Sequence, residues 1–206
     1  MDEEQQREFL DNHIPYRITA VDFMGHACDL VTSGRADRPA VVVIDGQKEL
    51  EASKCRFLTN PVIETGAIFC RVLLEFLGVK LGKDMQLVSR CSNKKNGEPN
   101  KKNDDVFIED FRLNGCPLTR VSPETILSTR GFGSEEAIKR ACITAIHVPN
   151  KAVAHLTSGL EERDTLEDLR LCSKLIPYLV AKHLYEALEY PVPPYGVKRI
   201  GNDNQR

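Results

Sequence analysis

A polar stretch in the second half of the chain carries the residue types best suited to chemistry. It spans Pro149-Asn150-Lys151-Ala152-Val153-Ala154-His155. Proline fits the first turn of a helix, where its missing N–H would have had no partner, so Pro149 predicts a helix start. Lys151 and His155 then lie four residues apart on one helix face, beside Asn150. Histidine can act as a general acid or base near neutral pH, so His155 is the candidate catalytic residue.

Arg140 and His147 precede this stretch on another predicted helix. They are seven residues apart, which places them on the same helix face. With His155 they could form a basic cluster for phosphodiester chemistry, in which a histidine moves the proton and an arginine stabilises the developing charge. Arg140, His147, Asn150 and Lys151 would then be ligand or phosphate contacts. The alternative is that these side chains pack at the edge of the core and form hydrogen bonds.

A second polar stripe lies on the predicted central helix. Glu64, Arg71 and Glu75 fall within about 20° of one line on its surface. Arg71 could bind an anion in a groove, as a second catalytic candidate with Glu75 as a ligand contact. The preferred interpretation is an internal charge network. The helix is so apolar that we expect Arg71 to be held by Glu75, by Glu64, or by the helix that carries His155.

The sequence favours neither a metal nor a cofactor. Four carboxylates in the seven positions from Asp104 to Asp110 surround a Val-Phe-Ile run and could supply oxygen ligands to a divalent cation. No glycine-punctuated loop or fixed ligand spacing accompanies them, so an aromatic anchor with solvated acids around it is favoured. No Rossmann fingerprint, phosphate-binding glycine loop or Ser-His-Asp pattern is present. We expect no metal and no cofactor.

The cysteines and the N-terminus indicate a cellular compartment. The seven cysteines are widely scattered, and no two form a CxxC pair. Such a set predicts reduced, mostly buried thiols rather than a disulfide framework or a zinc site. The acidic, polar N-terminus, Met1 to Gln6, differs from the basic start and apolar core of a signal peptide. We therefore expect a cytoplasmic protein.

Composition argues against two classes of partner. Of the 206 residues, 41% are hydrophobic and 28% charged, as in an ordinary soluble protein. A net charge of −2 and a pI near 6.2 give no global field that would attract a polyanion. No apolar run approaches the roughly 20 residues that cross a bilayer. We expect no constitutive DNA binding and no membrane partner.

Hydrophobic periodicity and capping signals predict helices over most of the chain. The predicted helices cover 3–12, 16–31, 49–57, 62–78, 123–130, 134–147, a short helix from 149, and 164–190. Residues 40–46 are rich in β-branched side chains and alone would predict a strand. No pairing partner is evident, so a helix or an extended linker is expected there. The polar run 92–104 predicts a mobile loop.

The predicted fold is an all-α, up-and-down helical bundle with an N-terminal helical extension. Residues 1–50 form the extension, which could belong to the same domain. Residues 51–192 form the bundle, and 193–206 form a tail. The most apolar helix, 62–78, is expected in the middle of the bundle.

Four segments together resemble a bacterial family of uncharacterised helical-bundle proteins related to the HEPN superfamily. The segments are Cys70–Leu77 on the central helix, Asp104–Phe111, Asn150–Thr157 and the long final helix. The resemblance covers 60–190 in outline. It implies an up-and-down helical bundle that often dimerises, and in active members an Arg-x4–6-His motif that cleaves RNA without metal.

The chain departs from this motif at the arginine. Asn150 stands five residues before His155, so His155 matches the family histidine while the arginine has no counterpart. The resemblance therefore implies a non-catalytic module that acts as a homodimer or binds a partner. The alternative is a metal-independent ribonuclease or nucleotide-binding protein that uses His155 with Arg71 or Lys151, with RNA or a nucleotide as its partner.

Overall fold

The structure is a computed structural model that describes residues 1–90, 105–152 and 163–194, without the side chains of 150–152. The run 92–104 that was expected to be mobile lies outside these ranges, as does the tail from 195 onward. The helices are α1 (Glu3–Glu8), α2 (Ile14–Thr32), α3 (Arg56–Leu77), α4 (Pro123–Leu127), α5 (Glu135–Ala152) and α6 (Arg163–Val180). The strands are β1 (Ala40–Ile44), β2 (Gln47–Ala52), β3 (Val79–Leu81), β4 (Leu87–Ser89), β5 (Arg112–Leu113) and β6 (Cys116–Pro117).

The prediction of an all-α fold is wrong. The described chain is about 60% helical and 13% strand, so the fold is mixed α/β. The strands form three separate two-stranded antiparallel sheets, β1–β2, β3–β4 and β5–β6. Each sheet is a short hairpin between helices, which is why the helical periodicity on either side does not reveal it.

Two of these hairpins turn on dipeptides that favour positive φ. Asp45 and Gly46 have φ values of 50° and 78° between β1 and β2, and Asn114 and Gly115 have 51° and 81° between β5 and β6. Asp-Gly and Asn-Gly are the preferred pairs for such tight turns. The predicted helix over 49–57 is therefore wrong in its first part, because residues up to Ala52 form the strand that pairs with β1.

Helix α2 is one of the four long helices that form the core. It packs against both α3 and α6, while α5 packs against α6 and α3. Its buried residues, from Ile14 to Cys28, belong to one hydrophobic cluster with those of the other three long helices. The first fifty residues thus contribute to the same core as the predicted bundle.

Two glycines allow α2 to approach its neighbours closely. A Cβ atom on Gly66 of α3 would lie 2.3 Å from Cβ of Met24, and one on Gly25 would lie 2.3 Å from Oγ of Ser173 on α6. Real Cβ atoms essentially never make contacts this short. The crossings of α2 with α3 and α6 therefore depend on residues without side chains.

Two predicted helix boundaries are wrong. Helix α3 begins at Arg56 and includes Pro61, rather than starting at 62. Helix α5 runs through Pro149 to Ala152, so no separate helix starts at Pro149. A proline inside a helix removes one backbone hydrogen bond. Here the buried residues Ala145 and Ile146 hold the preceding turn in the core, and Pro149 is itself buried.

Helix α3 is long and apolar enough, by length and composition, to cross a membrane, and is the one such helix in the described ranges. Its apolar face packs against α2, α5 and α6. A core helix passes the same test, and the central place predicted for this helix accounts for its composition.

The cysteines agree with the prediction of free and mostly buried thiols. The six that the structure describes are unpaired, and four of them are buried, one on each of α2, α3, α5 and α6. Burial raises the pKa of the Cys28 thiol to about 12 and that of Cys70 well above its usual value. These thiols stay protonated and pack as small apolar side chains.

The close crossing of α2 and α3 gives a direct test of the fold. Gly66→Ala should destabilise the protein by about 1–3 kcal/mol, because the added methyl group forces Met24 away from the crossing. Thr65→Ala, at the exposed neighbouring position of α3, is the control and should change stability by less than about 0.5 kcal/mol. Thermal and urea unfolding measure both. Equal stability of the two variants would mean that the helices do not cross this closely.

Candidate functional site

Arg71 forms the expected ion pair with Glu75. Its Nε lies 2.8 Å from Oε1 of Glu75, one helical turn further along α3. The two side chains are 39% and 33% exposed. Glu75 is thus one of the three partners that were expected for Arg71, and the pair is at the surface rather than buried. Its contribution to stability is therefore that of a solvated pair.

Arg140 forms a structural contact between α5 and α6. Its Nε donates to both carboxylate oxygens of Asp168, at 2.9 and 3.2 Å, and Thr144 Oγ1 donates to Asp168 Oδ2 at 2.8 Å. The hydrogen bond to Asp168 raises the pKa of Arg140. Asp168 is only 4% exposed, so the cluster satisfies a buried carboxylate. Asp168 was not among the predicted site residues, although a lone acid on an apolar helix face requires such a partner.

The remaining predicted residues are not gathered into a catalytic cluster in the described part of the chain. His147 is partly exposed on α5, two turns beyond Arg140, and neither a hydrogen bond nor an ion pair joins the two there. The side chains of Asn150 and Lys151, and all of His155, lie outside the described residues.

The described acids of the 104–110 segment have partners within the protein. Glu109 receives two hydrogen bonds from the Arg120 guanidinium. Asp110 accepts from the backbone N–H of Phe107 at 2.8 Å, and Asp105 lies 3.8 Å from Arg90. The expectation of solvated acids is thus wrong for the partly buried Glu109. The aromatic anchor is confirmed, since Phe111 is fully buried against other phenylalanine rings.

A cavity of about 330 Å³ lies between the start of α2, the end of α3 and the segment 105–107. We call it the α2–α3 pocket. Its apolar wall is formed by Phe9, Ile14, Val72, Leu73, Phe76 and Val106, and its polar wall by His13, Arg17, Glu75, Arg90 and Asp105, with Phe107 between them. Glu75 is the one predicted site residue among them.

A π-helical turn over Phe9–His13 positions one side of the pocket. The buried Tyr185 donates to the carbonyl of Leu10 at 2.7 Å, and Tyr190 donates to Asp11 at 2.8 Å. These two hydrogen bonds hold the π-helical turn in place from the C-terminal part of the described chain. The turn carries Phe9 and His13, which line the pocket beside the end of α3. Such turns occur frequently at functional sites.

Arg90 closes the opposite side of the pocket. Its guanidinium carbon lies 3.5 Å from the centre of the Phe107 ring, a cation–π contact. Its Nη1 is buried and has no hydrogen-bond partner within the described ranges. Both backbone polar groups of Arg90 are hydrogen-bonded, since its N–H donates to the Gly78 carbonyl and its carbonyl accepts from Arg120. These bonds hold the backbone of Arg90, and the contact with Phe107 holds its guanidinium group.

Arg17 supplies a second cation to the pocket. Its Nη1 donates to the His13 carbonyl at 2.7 Å, and its guanidinium lies 5.6 Å from the centre of the Phe69 ring. No carboxylate pairs with it among the residues that the structure describes. Glu75 pairs with Arg71, and Asp105 lies 3.8 Å from Arg90. Arg17 is therefore the one arginine of the described pocket wall that forms no ion pair with a described residue.

This arrangement has the groups that can bind a ligand. Two guanidinium groups can donate to an anion, and the apolar wall can cover an uncharged body. His13 is the one histidine in the described wall of the pocket. It stacks on Phe9 with ring centres 4.8 Å apart, and the described lining residues include no hydroxyl or thiol group.

The sequence contains only part of the signal for this pocket. Phe9, His13 and Arg17 recur at steps of four, which places aromatic and basic side chains on one stripe. That stripe could have been noticed. The arrival of Arg90 beside it is a long-range contact, which the local pattern around Arg90 does not reveal.

A comparison of the chain with protein-family models, curated proteins and solved structures returned no match. The resemblance to the HEPN superfamily therefore stays a prediction. The case for a function is made from the geometry of the described residues.

The two arginine clusters differ in burial, and mutation should separate them. Asp168→Ala should cost about 2 kcal/mol of unfolding free energy, because Arg140 and Thr144 lose a buried charged acceptor. Arg71→Ala should cost about 1 kcal/mol or less, since its pair is solvated. Glu167→Ala, at the exposed position before Asp168, is the control. Urea unfolding measures all three, and an Arg71→Ala cost as large as that of Asp168→Ala would contradict the assignment.

Proposed function

We propose that this protein is a non-catalytic binding module, related to HEPN-type helical proteins, whose α2–α3 pocket holds a small organic anion with an apolar body. The observation that carries the proposal is the placement of Arg17 and Arg90 in the wall of one apolar pocket. No catalytic step is assigned to the protein.

The state of the other arginines supports binding over phosphodiester cleavage. Such cleavage needs a cation directed at the developing charge on phosphorus. Arg71 is engaged by Glu75, and Arg140 by the buried Asp168. Together with Asn150 in the place of the family arginine, these pairings leave the ribonuclease alternative without an assigned arginine.

The ligand class follows from the walls of the pocket. An anionic group beside Arg17 would supply the counter-charge that this guanidinium lacks. The side chains of Phe9, Phe76 and Val72 would cover an apolar body. A cavity of about 330 Å³ is at the small end of ligand sites, so the class is an aromatic or aliphatic carboxylate or phosphate rather than a polymer.

Phenyl phosphate and benzoate are suitable probes of this proposal. We expect both to bind, as measured by isothermal titration calorimetry. Arg17→Gln should weaken binding about tenfold or more, because one charge-assisted hydrogen bond is lost. Arg163→Gln, which removes an exposed arginine outside the pocket, should bind as the wild type does. Absence of binding, or equal binding by Arg17→Gln and the wild type, would contradict the proposed site.

A second assay addresses catalysis directly. The wild-type protein and His155→Ala are incubated with single-stranded RNA in EDTA. The proposal predicts no cleavage by either protein. Cleavage by the wild type that His155→Ala abolishes would establish a metal-independent ribonuclease and end the non-catalytic assignment.

A further inference from the structure

Strand β1 is an open and unprotected sheet edge. It pairs only with β2, so one side of β1 has no strand beside it in the described structure. Its five residues, Ala40–Ile44, carry neither charge nor proline. Val41, Val43 and Ile44 are exposed, at 47%, 58% and 56%. Natural proteins usually protect such edges with charges, prolines or covering segments, and β1 has none of these within the described part of the chain.

The other edge of the same hairpin is protected. Strand β2 carries Lys48, Glu49 and Glu51 among its six residues, and a bulge lies opposite the step from Val42 to Val43. Charges and bulges are the features that prevent a strand from pairing further. The hairpin is thus asymmetric, with one edge protected and one edge open.

The turn determines which backbone groups face the open edge. In a hairpin with a two-residue turn, the residues that flank the turn exchange hydrogen bonds, here Ile44 and Gln47. Because the direction alternates along a strand, the N–H and C=O groups of Val43 and Val41 point away from β2. Outside the hairpin, these groups have no backbone hydrogen bond among the described residues.

We infer that the open edge of β1 pairs with β1 of a second copy of this chain, antiparallel and across a two-fold axis near Val42. Two hairpins then form one continuous four-stranded sheet. The outward backbone groups of Val41 and Val43 exchange hydrogen bonds with those of the second copy, and the exposed valines become neighbours across the new pair. This inference does not depend on the α2–α3 pocket.

A second copy is the occupant that the charges favour. Pairing of β1 with β1 brings no charged side chain into the contact. Pairing of β1 with β2 of another copy would place the charged residues Lys48, Glu49 and Glu51 in the contact. Such a head-to-tail contact would also leave one β1 edge open after each added copy, so it would form filaments rather than a closed dimer. The symmetric pair closes both unprotected edges at once.

The dimer should be weak, because five-residue strands bury little surface compared with an ordinary stable interface. Sedimentation velocity is suited to such an equilibrium. The full chain is measured from about 5 to about 200 µM, and we expect the wild type to shift from monomer to dimer over this range.

Val43→Pro is the most direct test, because it removes an outward N–H while leaving the hydrogen bonds to β2 in place. It should weaken dimerisation at least tenfold. Val43→Lys, which adds a charge to the edge without the backbone restriction, should do the same. Lys48→Pro is the matched control, since Lys48 is the register partner of Val43 on the protected edge, and it should dimerise as the wild type does.

Each other result overturns the inference. If the wild-type protein stays monomeric over the whole concentration range, a second copy does not pair with the open edge of β1. The partner of that edge would then be an extended segment of another protein. Val43→Pro and Val43→Lys that dimerise normally would place the interface elsewhere. A loss in Lys48→Pro equal to that in Val43→Pro would mean that both edges pair, which contradicts the two-fold arrangement. Circular-dichroism melts identify any variant that fails to fold.

Discussion

The close packing of α2 between α3 and α6 is the constraint on which the rest of the structure depends. Gly66 admits Met24 on one side of α2, and Gly25 admits Ser173 on the other. Interiors are packed at crystal-like density, so such crossings fix the relative position of helices to within a fraction of a methyl group. The position of α2 in turn places its first turns beside the end of α3. The α2–α3 pocket exists because these two ends meet.

The distribution of charge follows from the same arrangement. Where helices pack face to face, the charged side chains are paired across the contact, as Arg140 is with Asp168 and Arg170 is with Asp29. Where the start of α2 meets the end of α3, no helix of the described ranges covers the groove between them. Arg17 and Arg90 reach into that groove with apolar side chains behind them. The pocket therefore has a cationic wall and an apolar wall. Such a pocket favours ligands that carry a negative charge on an apolar body.

The sequence was sufficient to predict what depends on local patterns. The periodicity of α2 and of the buried face of α3, and the Ser122 cap of α4, are confirmed. The hairpins were missed because β1 was judged without its partner, although the Asp45-Gly46 turn was a local signal for one. Continuation of α5 through Pro149 depends on tertiary packing, which overrides the intrinsic preference of proline. The pocket depends on Arg17 and Arg90 lining one cavity although they are 73 residues apart in the sequence, and no local pattern encodes that proximity.

The central claim is that Arg17 and Arg90 together hold the anionic group of a ligand. Nuclear magnetic resonance of the arginine side chains tests it most directly, with the Nε–H resonances of 15N-labelled protein assigned by mutation. On addition of phenyl phosphate, the resonances of Arg17 and Arg90 should shift in proportion to occupancy, with one dissociation constant for both. Those of Arg140 and Arg163 should not move, because these residues lie outside the pocket and pair with Asp168 and Glu167. Shifts at Arg140 or Arg163, with none at Arg17 and Arg90, would contradict the account.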